Sequence, residues 1–98
     1  MGSLKEFQEL MKKIYYERDS KRGLYKTALW LVSEVGEFSD ALIHFNKAEL
    51  EGEAVDVLAW LCSICNLLEI NLEDIAFKKY NGKCPKCNSI PCNCKENV

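Results

Sequence analysis

Two pairs of acids lie inside stretches that are otherwise almost wholly apolar. Glu34 and Glu37 form the first pair, and Glu53 and Asp56 form the second, with residues 38–52 between them. Each pair is spaced i, i+3. At about 3.6 residues per helical turn, such pairs share one helix face. Around the first pair the chain is apolar at Leu29, Leu31, Val32, Val35, Phe38, Leu42 and Phe45. Around the second, residues 54–68 are apolar except for Asp56, Ser63 and Asn66. With Glu53 and Trp60 these polar positions trace a rough stripe along one side of a helix. Two adjacent helices of this kind can aim four carboxylates at one point.

Acids in so apolar a setting are rarely solvated ornaments, because charged side chains are almost never buried unless paired or metal-bound. Four in one cleft repel each other and resist desolvation unless a cation sits between them. A hard divalent ion, Mg²⁺ above all, suits carboxylate oxygen.

The rest of the chain reads as helix as well. Ser3 and Glu6 form a capping box. Leu4, Phe7, Leu10, Met11 and Ile14 then follow helical period, predicting a first helix to about residue 18. Residues 19–23 read as a polar turn, and a second helix runs over 24–45. Residues 46–52 read as a loop and the ragged start of a third helix, which continues to about residue 69. Asn71 caps a short fourth helix, with Asp74 completing the box, ending near Tyr80. No strand alternation appears, so the expected fold is all-α, a four-helix bundle.

The third helix is apolar around most of its circumference, and three other helices in one small chain cannot cover it. A second copy is the expected cover, as a dimer or a dimer of dimers. Gly36, inside the first acidic pair, costs about 1 kcal/mol relative to alanine in mid-helix, which is tolerable where another backbone or a ligand comes close.

Ninety-eight residues with a formal charge of -2 make one small domain with no basic field for nucleic acid. The amphipathic, charged N-terminus does not read as a signal peptide. The 54–68 run is too short to cross a bilayer. A cytoplasmic protein is the expectation.

Three chemistries use helix-borne carboxylates. A di-iron bundle wants Glu-x-x-His pairs, and the single histidine, His44, is not three residues after any of the four acids. A glycosidase needs only two carboxylates. Phosphoryl chemistry fits best: carboxylates hold Mg²⁺, the metal grips phosphates, and an acidified water attacks phosphorus. One of the acids can instead serve as the general base.

At these residues the chain resembles the MazG-like branch of the all-α nucleoside triphosphate pyrophosphohydrolases. Glu34-x-x-Glu37 and Glu53-x-x-Asp56 are similar to that family's acidic signature, and residues 31–38 and 70–76 read like its flanking segments. The likeness covers 27–83. It implies a helical bundle completed by dimerisation or tetramerisation, and Mg²⁺-dependent hydrolysis of (deoxy)nucleoside triphosphates to monophosphate and pyrophosphate. Carried over, Glu34, Glu37, Glu53 and Asp56 are metal ligands or water-activating acids. Lys79, Asn81 and Lys83 resemble a basic segment near the phosphates, where a solvated helix end is the plainer reading. Trp30 and Trp60, each one turn from an acid, offer rings on which a base can stack, or simply core packing. Arg18, Arg22 and Lys26 are candidates to reach phosphates from a partner subunit.

Cysteine is abundant, at six residues. Cys62 and Cys65 lie in the apolar helix, where cysteine acts as a small hydrophobe. Cys84, Cys87, Cys92 and Cys94 close the chain in a pattern that departs from the family. Cys84-Pro85-Lys86-Cys87 suits a metal knuckle, with Asn88 able to turn left-handed, and four thiolates imply structural Zn²⁺. Disulfides or a reduced, unstructured tail are the alternatives. The chain thus divides into a helical domain, residues 1–81, and a Cys-rich tail, residues 82–98. A competing function is a non-catalytic helical module whose knuckle binds protein or nucleic acid.

Overall fold

Ser3 starts the first helix as expected: its hydroxyl accepts the Glu6 N–H at 3.1 Å. The structure, a computed structural model, describes residues 2–95. Met1 of the expected helical domain and residues 96–98 of the expected tail lie outside them. Four helices follow in order: α1 Leu4–Arg22, α2 Leu24–His44, α3 Lys47–Leu67 and α4 Leu72–Lys79. No strand occurs among the described residues.

Two boundaries differ from the sequence reading. Residues 19–22 are helix, not turn. Their polarity marks a surface, whereas the break needs a residue free to take positive φ, and Gly23 supplies it at φ 90°. The Gly23 N–H closes α1 on the Asp19 carbonyl at 2.9 Å, while its own carbonyl accepts the Thr27 N–H and hydroxyl. At the other boundary, residues 47–52 are already helical. Phe45 turns left-handed at φ 50°, and the Asn46 side chain caps the Glu49 N–H at 3.2 Å. Asn46 outweighs Gly52, whose mid-helix penalty is about 1 kcal/mol.

At the far end of α3, Asn71 caps α4 through the Asp74 N–H at 3.1 Å. The α3–α4 junction is fixed by a buried amide pair. The Gln8 side chain donates to Asn66 Oδ1 at 3.0 Å and to the Ile70 carbonyl at 2.7 Å, and it accepts the Leu72 N–H at 3.0 Å. Asn66 returns a bond to the Gln8 carbonyl at 3.2 Å. Buried amides must be satisfied in this way, and these anchor α1 to the end of α3.

α3 is the central helix. α1 and α2 both pack on it and touch each other little, and α4 rests on α1. The buried apolar residues are few: Met11, Ala41, Cys62 and Cys65. α3 still exposes Val55 and Leu61, but the larger uncovered surface belongs to α2 and its C-terminal cap. Leu29 is 68% exposed, Val32 67%, Ile43 79% and Phe45 77%. Full burial of each such side chain is worth about 1.5–3 kcal/mol, so one copy of the chain leaves much of its apolar surface unused. No single helix among the described residues is long and apolar enough to cross a membrane.

Candidate functional site

α2 presents Glu34 and Glu37 one turn apart, and α3 presents Glu53 and Asp56 in the same way. Because α2 packs along α3, the two acidic faces meet. Glu34, Glu37 and Glu53 each offer a carboxylate oxygen within 4.8 Å of the others. Asp56 lies next to this trio, near enough for its charge to act on Glu34.

The electrostatics carry the signature of crowded like charges. The Glu34 carboxyl is held above its ordinary pKa, first by burial, then by the charges of Glu37, Asp56 and Glu53, and last by a hydrogen bond with Glu53. Glu53 Oε2 is buried and has no hydrogen-bond partner. An orphaned carboxylate oxygen facing two further carboxylates is a poor arrangement for a free protein and a good one around a cation. The donor set is all oxygen, so the residues fit a hard divalent ion.

Beside the acids, α1 and α3 enclose a cavity of about 230 Å³. Asp56, Trp60 and Ser63 line it from α3, and Tyr15, Arg18 and Arg22 from α1. Ser63 belongs there by helical geometry, since seven residues are about 20° short of two full turns. Asn66 does not. Ten residues from Asp56 swing it roughly 80° off that face, toward Gln8, so it serves the α1–α3 anchor and not the acidic stripe.

Arg22 is held in place. Its Nη1 donates to Asp19 Oδ1 at 2.8 Å, and Asp19 is almost fully buried. The guanidinium carbon stands 5.0 Å from the Trp60 ring centroid, a cation–π contact. Trp60 in turn stacks on Trp30, with centroids 5.8 Å apart and planes 11° from parallel. Each tryptophan therefore gives one face to the other. Trp30, 50% exposed, also borders a shallow depression of about 550 Å³ with Arg22, Lys26, Leu29 and Ser33.

The four acids and both tryptophans thus gather along the middle of α2 and α3, beside the arginines at the C-terminal end of α1. Lys79, Asn81 and Lys83 line neither the cavity nor the acidic trio. Lys79 Nζ stands over the Tyr80 ring at 5.7 Å, and Asn81 and Lys83 are exposed beyond α4. Arg18 and Arg22 reach the cavity from their own chain, without a partner subunit. Asp19, read from sequence as part of a turn, proves to be the buried counter-ion. An aspartate three residues before an arginine on a continuing helix was the available signal.

Gly36 faces open space. A methyl added there meets nothing within 4 Å, so any close approach that the glycine permits comes from outside the chain.

Residues 22–88 match the model of the MazG nucleotide pyrophosphohydrolase domain. That span begins at the last residue of α1 and includes all four acids, both tryptophans and the first two tail cysteines. No curated protein matches the chain.

Proposed function

Since the chain belongs to the MazG nucleotide pyrophosphohydrolase family, we propose that it hydrolyses (deoxy)nucleoside triphosphates to the monophosphate and pyrophosphate with Mg²⁺. The observation that carries this reading is the convergence of Glu34, Glu37 and Glu53 oxygens within 4.8 Å, with Asp56 opening onto an arginine-lined cavity.

Glu34, Glu37, Glu53 and Asp56 would hold the metal, save one of them if it serves instead as the base for water. When bound, it supplies positive charge for the phosphates and acidifies water. The chain's own residues do the rest. Arg18 and Arg22 offer guanidinium groups to phosphate oxygens, a fork geometry that suits them. Asp19 fixes the direction of Arg22, so that less rotamer freedom is lost on binding. An acid of the set that is not a ligand accepts the proton of the attacking water. The free face of Trp30 is available to a base. Lys79, Asn81 and Lys83 remain candidates for phosphate contact, supplied from a second copy.

A homo-oligomer belongs to this reading. The uncovered apolar surface of α2, with Leu29, Val32, Ile43 and Phe45, and the open side of Gly36 support a second chain packing there. A nucleotide substrate sets the place of work in the cytoplasm.

The test is a panel of (deoxy)nucleoside triphosphates with Mg²⁺, products separated by ion exchange. Monophosphate and pyrophosphate are expected, and both vanish in Glu37→Gln and in Asp56→Asn. No turnover of any nucleotide by a folded, Mg²⁺-loaded protein overturns the proposal.

A further inference from the structure

The C-terminal tail is built differently from everything before it. No residue from 81 to 95 is buried, and Ile90, its one large aliphatic side chain among the described residues, is 79% exposed. A segment with so little apolar burial cannot offset the entropy of ordering its backbone. Yet it has a defined turn. The Asn88 N–H donates to the Cys84 carbonyl at 2.8 Å, the Cys84 N–H donates to the Ser89 carbonyl at 3.0 Å, and Asn88 adopts φ 59°.

Four thiols converge on this turn. Every Sγ of Cys84, Cys87, Cys92 and Cys94 lies within 4.8 Å of the others. The close separations are 3.6 Å for Cys84–Cys92, 3.7 Å for Cys84–Cys94 and 4.0 Å for Cys87–Cys92. A tetrahedron of thiolates at a Zn–S distance of about 2.3 Å has edges of about 3.8 Å. The sulfurs are thus at the spacing that one tetrahedral ion requires, and far beyond the roughly 2.05 Å of a disulfide. Backbone amides also point at them. The Asn93 N–H donates to Cys87 Sγ at 3.2 Å and the Cys94 N–H to Cys92 Sγ at 3.4 Å. Such bonds favour sulfur as thiolate, the form that binds metal. Lys83 and Lys95 flank the four in sequence, Lys86 lies between Cys84 and Cys87, and the three offset the charge of a tetrathiolate.

All these bonds are internal. Among the described residues, no hydrogen bond or ion pair ties 84–94 to a helix.

We propose that Cys84, Cys87, Cys92 and Cys94 bind one structural zinc ion, and that this ion folds the tail as a unit separate from the helices. Four protein ligands close the coordination sphere and leave no position for substrate, so the ion has no part in hydrolysis. The inference does not rest on the proposed enzymatic activity.

The experiment uses the full chain, purified in reducing buffer without chelator. Elemental analysis should find one zinc per chain, lost in the Cys87→Ser/Cys92→Ser double variant and kept in Cys65→Ala. Replacement by Co²⁺ should give the intense visible bands of a tetrahedral site and a thiolate charge-transfer band in the near ultraviolet. Stripping the metal should leave the helical circular dichroism unchanged while limited proteolysis begins to cut within 82–95. Zinc retained by the double variant, an octahedral cobalt spectrum, a metal-free purified chain or helices that melt on stripping would each overturn the proposal.

Discussion

Trp30 and Trp60 stack nearly parallel, 5.8 Å apart and 11° off plane, and so join α2 to α3 one turn from an acid on each helix. The contact fixes the distance between the two acidic faces as well as packing the helices. A stacked pair is worth about 0.5–1.5 kcal/mol beyond the area it buries. A double-mutant cycle of Trp30→Leu and Trp60→Leu, followed by chemical denaturation, should return a coupling energy in that range. A coupling near zero would mean that the rings merely sit side by side. Hydrolysis should fall in each single variant, because the acids lose their spacer.

The acidic faces strain the protein when no cation is present. Glu34 has a folded pKa above its unfolded value, chiefly from burial and then from Glu37, Asp56 and Glu53. Between the two values the folded state binds more protons than the unfolded one. Its contribution to stability is therefore full below the ordinary carboxyl pKa and is lost as pH rises through the raised value. In chelator, the melting temperature should decline as pH is raised across that window. Glu34→Gln should flatten the decline and raise the melting temperature near neutrality, while removing activity and most of the stabilisation by added Mg²⁺. A variant less stable than the parent in chelator would show that repulsion is not the governing effect.

Arg22 depends on Asp19. The carboxylate is buried, meets Arg22 Nη1 at 2.8 Å through one oxygen, and leaves Oδ2 without a partner. Removing its charge weakens a charge-assisted bond, at a cost of about 1–3 kcal/mol. Asp19→Asn should lose stability on that scale and bind nucleotide more weakly, since Arg22 is no longer aimed at the cavity. Arg22→Lys keeps the charge but not the fork, and should raise KM more than it lowers kcat. Equal activity in Asp19→Asn and the parent would remove Arg22 positioning from the mechanism.

What the sequence disclosed follows from the range of each signal. Ser3 and Asn71 act on amides three residues away, so their caps are legible locally. The i, i+3 acids share a face by helical arithmetic alone. By contrast, Arg18 and Arg22 stand near Asp56 only because α1 packs on α3, a contact between segments far apart in sequence. Asn66 looked like part of a polar stripe until its amide partner, Gln8, was seen 58 residues away. Asp19 looked like turn because polarity and chain reversal share residue types, and only Gly23 at φ 90° separates them. The apolar excess was legible, but it is α2 more than α3 that leaves it uncovered, because α3 already has a helix on either side.

The two groups of cysteines should behave as different chemicals in one chain. Cys62 is fully buried, and burial, aided by neighbouring Cys65, pushes its thiol up to about 11. Cys65 is buried as well and raised for the same first reason. Thiolate is the reactive form, so at neutral pH both are protected twice, by access and by protonation. Cys92 and Cys94 are exposed, and Cys84 and Cys87 only half-buried. In metal-stripped, reduced protein, a disulfide reagent at neutral pH should therefore titrate the four tail thiols first. Cys87, which the Asn93 N–H holds down to about 6, should lead, and Cys94, pushed up to about 12 by its bonds to Cys92 and Cys84, should follow once those neighbours are consumed. Cys62 and Cys65 should react only at the rate of unfolding, and in denaturant all six should react together. Adding one equivalent of zinc beforehand should slow the tail four and leave the slow pair unchanged. Six rapid thiols in the folded protein would mean that the α3 core is open, and that the packing which positions Asp56, Trp60 and Ser63 is looser than the structure requires.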